Sequence, residues 1–563
     1  MKMHNVYLLA FAAGAAVLWL CPGAVAFIQV TEDPRVFSID PLAGDWRSLA
    51  PPCLTIALAF VLRRFVIALA IGVVAGTMVV QKTVNPLAGC WHAFADYMLP
   101  AFVAEFSIQI FLFIFFLIAM VQVMTSCGGI HGLVELLSRC VRGPRSARLA
   151  AFLLGLFIFF DDYTNTMVVG NAMRPLCDRW KVSREKLAYI VDSTAAPLAG
   201  LAVVSTWIAF EVGLIQQLSD DLGLGLGGYT IFFQLVPLRF YCISALLVVL
   251  TTIVLNRDAG PMLKAERRVL HGTCASVSRH DPFVENASRL IPKPGITYRW
   301  GNAAGPIAVV ILTSVTGFVL AGYGFFVQPE TAAPESWQSF FNAASPYTFR
   351  IFVGSAFAGL LASLALAASQ RLMTLFELCK AVAASVTVMK YAVCILVLAW
   401  SMRDVCSSLG TAQYLASLVG GNVDPVLIPC LTFVLAAAIA FATGTSWGCM
   451  GILLPTVVPV AFQLGNSTVT FLCLAAVLDG AIFGDHCSPL SDTTIISSMT
   501  SGCSCQRHVI TQLPYGMLAA ACALGAYAVV GWKSFPPVLV YAVIVSCVVM
   551  VLMVVGRNPE RNT

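Results

Sequence analysis

The chain has 563 residues, 59% of them hydrophobic and only 11% charged, with a mean hydropathy of +0.86 and a net charge of +5. Soluble domains carry about 25% charged residues, so a soluble globular protein is excluded, and neither nucleic acid nor an organic cofactor is expected as a partner. Apolar runs long enough to cross a bilayer recur along the whole chain, which makes it an all-α, polytopic membrane protein with the lipid bilayer as its first partner.

The first segment, 1–28, reads as a signal peptide or a first span: Lys2 precedes an apolar run from Val6 to Leu20, followed by Cys21-Pro22-Gly23-Ala24-Val25-Ala26. N-terminal spans fill 29–105, with Arg63-Arg64 between two short apolar runs. The stretch 106–255 opens with a conventional span and then breaks simple counting. Basic residues flank both sides of a largely apolar segment: Arg139, Arg142, Arg145 and Arg148 before it, Arg174, Arg179, Lys181, Arg184 and Lys186 after it. Both flanks read as cytoplasmic. A re-entrant hairpin over 148–177, with its polar apex at Asp161-Asp162-Tyr163-Thr164-Asn165-Thr166, resolves the conflict. Next comes Asp192-Ser193-Thr194-Ala195-Ala196-Pro197, the signature of a helix broken near a proline.

Loop 256–299 carries eight Lys/Arg against four acids, whereas 212–231 and 327–349 carry no Lys or Arg. The first is therefore predicted inside and the other two outside. Connecting spans occupy 300–385. The stretch 386–506 then repeats the pattern of the first half. Thr166 matches Ser446, Pro175 matches Pro455 and Ala119 matches Ala399, each 280 residues apart; Pro197 matches Pro489 and Ser205 matches Ser497 at 292. A second hairpin is thus expected over 425–465, with its apex at Thr443-Gly444-Thr445-Ser446, entering from outside. The residues 507–563 supply C-terminal spans. The total is about 12 spans plus two re-entrant hairpins of opposite orientation, an inverted repeat of the kind that secondary transporters use.

The densest polar run is Gly484 to Thr494, which holds Asp485, Ser488, Pro489, Ser491, Asp492 and Thr493 just after an apolar stretch. Carboxylates and broken backbone at bilayer depth are costly and persist where they line a cavity or bind something. A small cation crossing a membrane needs hard oxygen ligands to replace its water. Thr164, Asn165, Thr166, Thr445 and Ser446 are apex candidates, with Ser193, Thr194, Ser488, Ser491 and Thr493 from the broken helices. The competing reading is that each hydroxyl only caps or bonds back to its own helix. Asp162, Asp192, Asp485 and Asp492 are candidate ion-binding carboxylates, and Asp485, Asp492, Asp162 and Asp479 candidate proton carriers. Burial favours the protonated carboxyl and a bound cation favours the carboxylate, so one group can hold either H+ or Na+. Asp479, in the helical stem, has the alternative of pairing with a basic group. His486 is either a proton relay or a hydrogen-bonded structural residue.

Phe160-Asp161-Asp162-Tyr163-Thr164-Asn165-Thr166, Tyr189 to Pro197 and Gly484 to Thr494 resemble the NhaC-type Na+/H+ antiporter family over roughly residues 50 to 530. The resemblance implies an exchanger of the bacterial inner membrane, with Na+ and H+ as transported or coupling ions and no enzyme activity. It is compatible with a homodimer, and with exchange of a small organic anion coupled to the same ions. In that second case Arg174 and Arg403 matter; otherwise they are membrane-edge anchors. Gly444-Thr445-Ser446-Trp447-Gly448 fits a nucleophile-elbow string but lacks the strand–turn–helix setting of a hydrolase. Gly223 to Gly228 is glycine-rich without a surrounding βαβ unit, and the 19 cysteines show no metal-binding spacing.

Overall fold

The computed structural model describes residues 45–62, 65–271, 296–324, 340, 343–411, 414, 424–464, 467–532 and 535–560. The segment 1–28, Arg63-Arg64, and most of the 256–299 and 327–349 stretches lie outside them. The described residues form helices without a strand, apart from an isolated antiparallel bridge between Asp258 and Arg557.

Numbering only helices of eight or more residues, the first half runs α1 (Ala50–Leu62), α2 (Phe65–Val80), α3 (Glu105–Ser126), α4 (Gly129–Ser138), α5 (Pro144–Phe157), α6 (Asp162–Arg179), α7 (Arg184–Ser193), α8 (Thr206–Asp221), α9 (Gly228–Leu235), α10 (Phe240–Leu255) and α11 (Gly260–Leu270). The second half runs α12 (Gly301–Gly322), α13 (Thr348–Ser369), α14 (Leu375–Ser408), α15 (Ile428–Thr443), α16 (Ser446–Gln463), α17 (Ser467–Cys487), α18 (Asp492–Ser501), α19 (Cys505–Trp532) and α20 (Pro537–Val554). Eight of these are long and apolar enough to cross a membrane, nine if α9 and α10, bent by 47° at Arg239, count as one broken span. The protein is a multi-pass membrane protein. The expected tally of about 12 is larger: α2 is apolar but falls short of 18 residues, α7 and α18 have ten residues each, and the segment 1–28 lies outside the described residues.

Burial separates centre from rim. In α17, 78% of the apolar window is buried, against 28% in α12 and in α20, so α17 runs through the middle and the latter two offer their sides to lipid. Two glycines allow α17 its central place. A Cβ on Gly480 would lie 2.4 Å from the Phe433 carbonyl oxygen, and one on Gly484 2.4 Å from that of Ala437. Four residues apart, they form a small-xxx-small face on which α15 rests backbone to backbone. Gly480→Leu is expected to force α15 off this face at about 1–3 kcal/mol, read as a lowered thermal unfolding midpoint of the purified protein.

The two segments expected to be hairpins are helix–turn–helix pairs. α5 and α6 are joined by Ile158 to Asp161, α15 and α16 by Gly444-Thr445. Both second helices start alike. Asp161 (φ −157°, ψ 124°) caps α6 by accepting from the Thr164 N–H, and Thr445 (φ −148°, ψ 118°) caps α16 by accepting from Gly448. Aligned by these caps, the halves stand 284 residues apart, and Pro175 pairs with Pro459, each thirteen residues into its helix. Counted from the caps, the Pro175–Pro455 match by residue identity is offset by four positions from the Pro175–Pro459 one. Residue identities recurring every few positions do not fix a helix start, whereas a cap does.

Candidate functional site

Two helix breaks face each other in the centre. α7 stops at Ser193, and a four-residue turn of helix resumes at Ala196-Pro197. α17 stops at Cys487, and α18 resumes at Asp492 after Ser488-Pro489-Leu490-Ser491. Proline removes a backbone donor, and the freed carbonyls must find other partners. Asn165 answers this for the first break. Its side-chain amide donates to the carbonyls of Gly155 (2.8 Å), Ile158 (3.1 Å) and Thr194 (2.8 Å), tying the α5–α6 turn to the end of α7. Asn165→Ala takes this donor from the Ile158 and Thr194 carbonyls, whereas that of Gly155 still accepts from the Ile158 N–H, at about 1–3 kcal/mol for an unmet buried group; a lowered unfolding midpoint at unchanged helix content is the expected reading. At the second break the Ser488 hydroxyl donates to the Phe441 carbonyl (2.6 Å) and accepts from the Leu490 N–H, fastening the break to α15.

Asp485, one helical turn before the α17 break, is 5% exposed. Its Oδ2 accepts from the Ser446 hydroxyl at 3.0 Å; the Ser491 hydroxyl is close by, but the buried Oδ1 takes no hydrogen bond of acceptable geometry within the protein. The Asn165 Oδ1 is likewise buried and unpartnered. Asp258 Oδ2 and Gln512 Oε1 are in the same state, so it is their place beside the helix breaks that makes the Asp485 and Asn165 oxygens candidate ligand atoms. Asp162, the first residue of α6, is 4% exposed, and its Oδ1 accepts from the Tyr163 N–H. Trp207 lies beside it, and Asp485 is near enough for the two charges to interact.

Asp192 is differently placed. Its Oδ2 accepts from Thr494 (3.1 Å) and Gln512 (2.8 Å) and lies 3.1 Å from His508 Nε2; its Oδ1 accepts from Ser497 at 3.3 Å. Four side chains from α18 and α19 thus surround one carboxylate of α7. His486 joins the two breaks: Nδ1 is 2.7 Å from the Tyr241 hydroxyl and Nε2 is 3.0 Å from that of Ser193, and Gln512 donates to the His486 carbonyl.

The remaining predicted residues divide. Thr164 donates to Asp161 (2.6 Å), Thr166 to the Tyr163 carbonyl (2.8 Å) and Thr194 to that of Ile190 (2.9 Å), so these hydroxyls are spent locally. Thr445 caps α16. Ser491 and Thr493 bond each other at 3.0 Å beside the break. Asp492 begins α18 on the exposed side, within 3.4 Å of the Tyr163 hydroxyl. Asp479 stands apart: Arg239 donates to it at 3.0 Å. The α15–α16 apex at Ser446 is a helix–turn–helix, not the strand–turn–helix of a nucleophile elbow. Arg403 is matched by Asp404 and Asp221, in keeping with a membrane-edge anchor; Arg174 is half-buried against Gly502.

Sequence reasoning assigned no role to Gln512, Tyr241, Arg239 or His508. His508 and Gln512 lie four apart on one face of α19, a spacing that flags a polar stripe on an otherwise apolar helix. Arg239 was missed because its break carries no polar cluster to mark it.

The profile described as the Na+/H+ antiporter family matches residues 198–532. An uncharacterized protein of Haemophilus influenzae is 31% identical over 532 residues, covering 92% of this chain and 97% of its own. The malate-2H+/Na+-lactate antiporter of Bacillus subtilis is 32% identical over 110 residues, 20% of this chain and 23% of that protein. Among solved structures, the YdaH transporter of Alcanivorax borkumensis shares the fold with a TM-score of 0.57 at 15% identity, over 87% of this chain and 99% of the transporter.

Proposed function

The chain belongs to the Na+/H+ antiporter family and is a secondary transporter, and on that premise we propose that it exchanges Na+ for H+ across the bacterial inner membrane. The observation that carries the proposal is Asp485, a buried carboxylate at a helix break with one oxygen held by Ser446 and the other unpartnered. A carboxylate so placed can take a proton on its unpartnered oxygen or give that oxygen to Na+, but not both at once. Mutual exclusion at one group is the minimal condition for exchange. Asn165 Oδ1, Asp162 and the Ser491–Thr493 hydroxyls are further oxygens for the cation, and the α5–α6 and α15–α16 turns serve as re-entrant hairpins entering from opposite faces. Asp192, with four protein donors of its own, supports the junction of the two breaks and holds a fixed negative charge near the cation.

A second reading is a Na+- and H+-coupled exchanger of small carboxylates. The Bacillus subtilis relative favours it, and the half-buried Arg174 would be its anion contact. Purified protein in liposomes, loaded with a pH indicator and challenged with Na+, Li+, K+, malate and lactate, tests both. A Na+-elicited proton flux without organic solute supports cation exchange. Flux only with a carboxylate present transfers the function to the anion exchanger, and no flux with any solute rejects both.

A further inference from the structure

Helix α10 has a buried ion pair at each end. At its start, Arg239 Nε donates to Asp479 Oδ1 (3.0 Å), and Asp479 Oδ2 accepts from the Tyr241 N–H (2.6 Å) and the Tyr527 hydroxyl (2.9 Å). Just past its end, Asp258 Oδ1 accepts from Lys186 Nζ (2.7 Å) and the Tyr515 hydroxyl (3.0 Å). The two pairs share one plan. Each joins an end of α10 to a helix that carries a break, α17 through Asp479 and α7 through Lys186. Each carboxylate also takes a tyrosine hydroxyl from α19. Lys186 lies six residues before Asp192, and Asp479 six before Asp485. The polarity differs, because the cation sits on the broken helix in one pair and at α10 in the other. All four charged side chains have no exposure.

Ion pairs this deep are a poor way to gain stability, since desolvation offsets most of the attraction and well-packed apolar residues would do as well. What they supply is a fixed position along the helix axis, which apolar side chains sliding past one another do not. α10 spans about 24 Å at 1.5 Å per residue, so it works as a strut of set length between two anchor points. We propose that Lys186–Asp258 and Arg239–Asp479 are positioning pairs that fix the axial register of α7 against α17, so that the two breaks meet at His486 and Ser193. Asp479 then carries no transported proton. Glu211, which also binds Arg239 (2.8 Å), makes that end a triad and holds the guanidinium in place.

The transport test rests on the exchange reading above, so wild-type protein is assayed first. With exchange established, Lys186→Met is expected to raise the Na+ concentration for half-maximal rate roughly tenfold at a retained maximal rate, as small misplacements of a site do. The double variant Lys186→Asp/Asp258→Lys, which re-forms the pair with its polarity reversed, is expected to restore it. A lowered maximal rate at unchanged Na+ dependence, or a double variant no better than the single one, overturns the proposal, because the charge itself would then serve transport. Hydrogen–deuterium exchange reads the same set without any activity. Faster exchange at residues 484–491 in Lys186→Met, reversed in the double variant, is expected; loss of protection confined to α7 overturns the proposal even where no flux is seen. If Lys186→Met does not fold, recovery of folding in the double variant supports the pairing, and failure to recover it overturns the proposal.

Discussion

Asp485→Asn is expected to abolish Na+-driven proton movement, by roughly a hundredfold or more, since losing a positioned proton-transfer group costs that much elsewhere, while the protein remains folded. Asparagine keeps the shape, and its side-chain carbonyl still accepts from Ser446, so the α16 apex stays attached to α17. What disappears is the ability to exchange a proton for a cation at the unpartnered oxygen. The decisive comparison is with Ser446→Ala, which removes the donor and leaves the carboxylate. That variant should keep exchange at a shifted Na+ dependence. Full exchange by Asp485→Asn in liposomes would move the coupling to another aspartate. Asp162 is then next in line, because it is buried at the opposite apex and within charge range of Asp485.

The sequence made the class, the polar breaks and the two apices legible because these depend on residue type. Charges and prolines inside apolar runs have few explanations at bilayer depth. It was weaker wherever function depends on which atoms a side chain has left over. Thr164 and Ser446 look alike as apex hydroxyls, yet the first is consumed by its own helix cap and the second reaches the carboxylate. Asp485 and Asp192 look alike as aspartates near breaks, yet one keeps a free oxygen and the other is encircled by donors. Those donors come from α18 and α19, and no local pattern ties Gln512 to Asp192 across 320 residues. Asp479 is the instructive middle case. Pairing with a basic group was one of two readings, but the partner, Arg239, sits at a bend marked by no run of polar residues.

Gly444→Ala should do more harm than its single methyl group suggests. Gly444 ends α15 at φ +68°, a left-handed conformation that costs a residue with a Cβ about 1–2 kcal/mol. The larger cost is steric. A Cβ there would lie 2.6 Å from the Leu490 carbonyl carbon and 2.7 Å from its oxygen, and neither is a flexible side-chain tip that can swing aside. Leu490 belongs to the α17–α18 break, which is itself held to α15 by Ser488. Relief therefore requires the α15–α16 turn and the break to separate, and Ser446, two residues after Gly444, leaves Asp485 with them. Asp485→Asn removes the chemistry and keeps the frame; Gly444→Ala keeps every charged and polar group and displaces the frame. The expected result is a lowered unfolding midpoint together with Na+ dependence shifted to higher concentration. Wild-type Na+ dependence in a destabilised Gly444→Ala protein would mean that the apex can move without disturbing the ion, and that Asp485 does not need Ser446 to hold it.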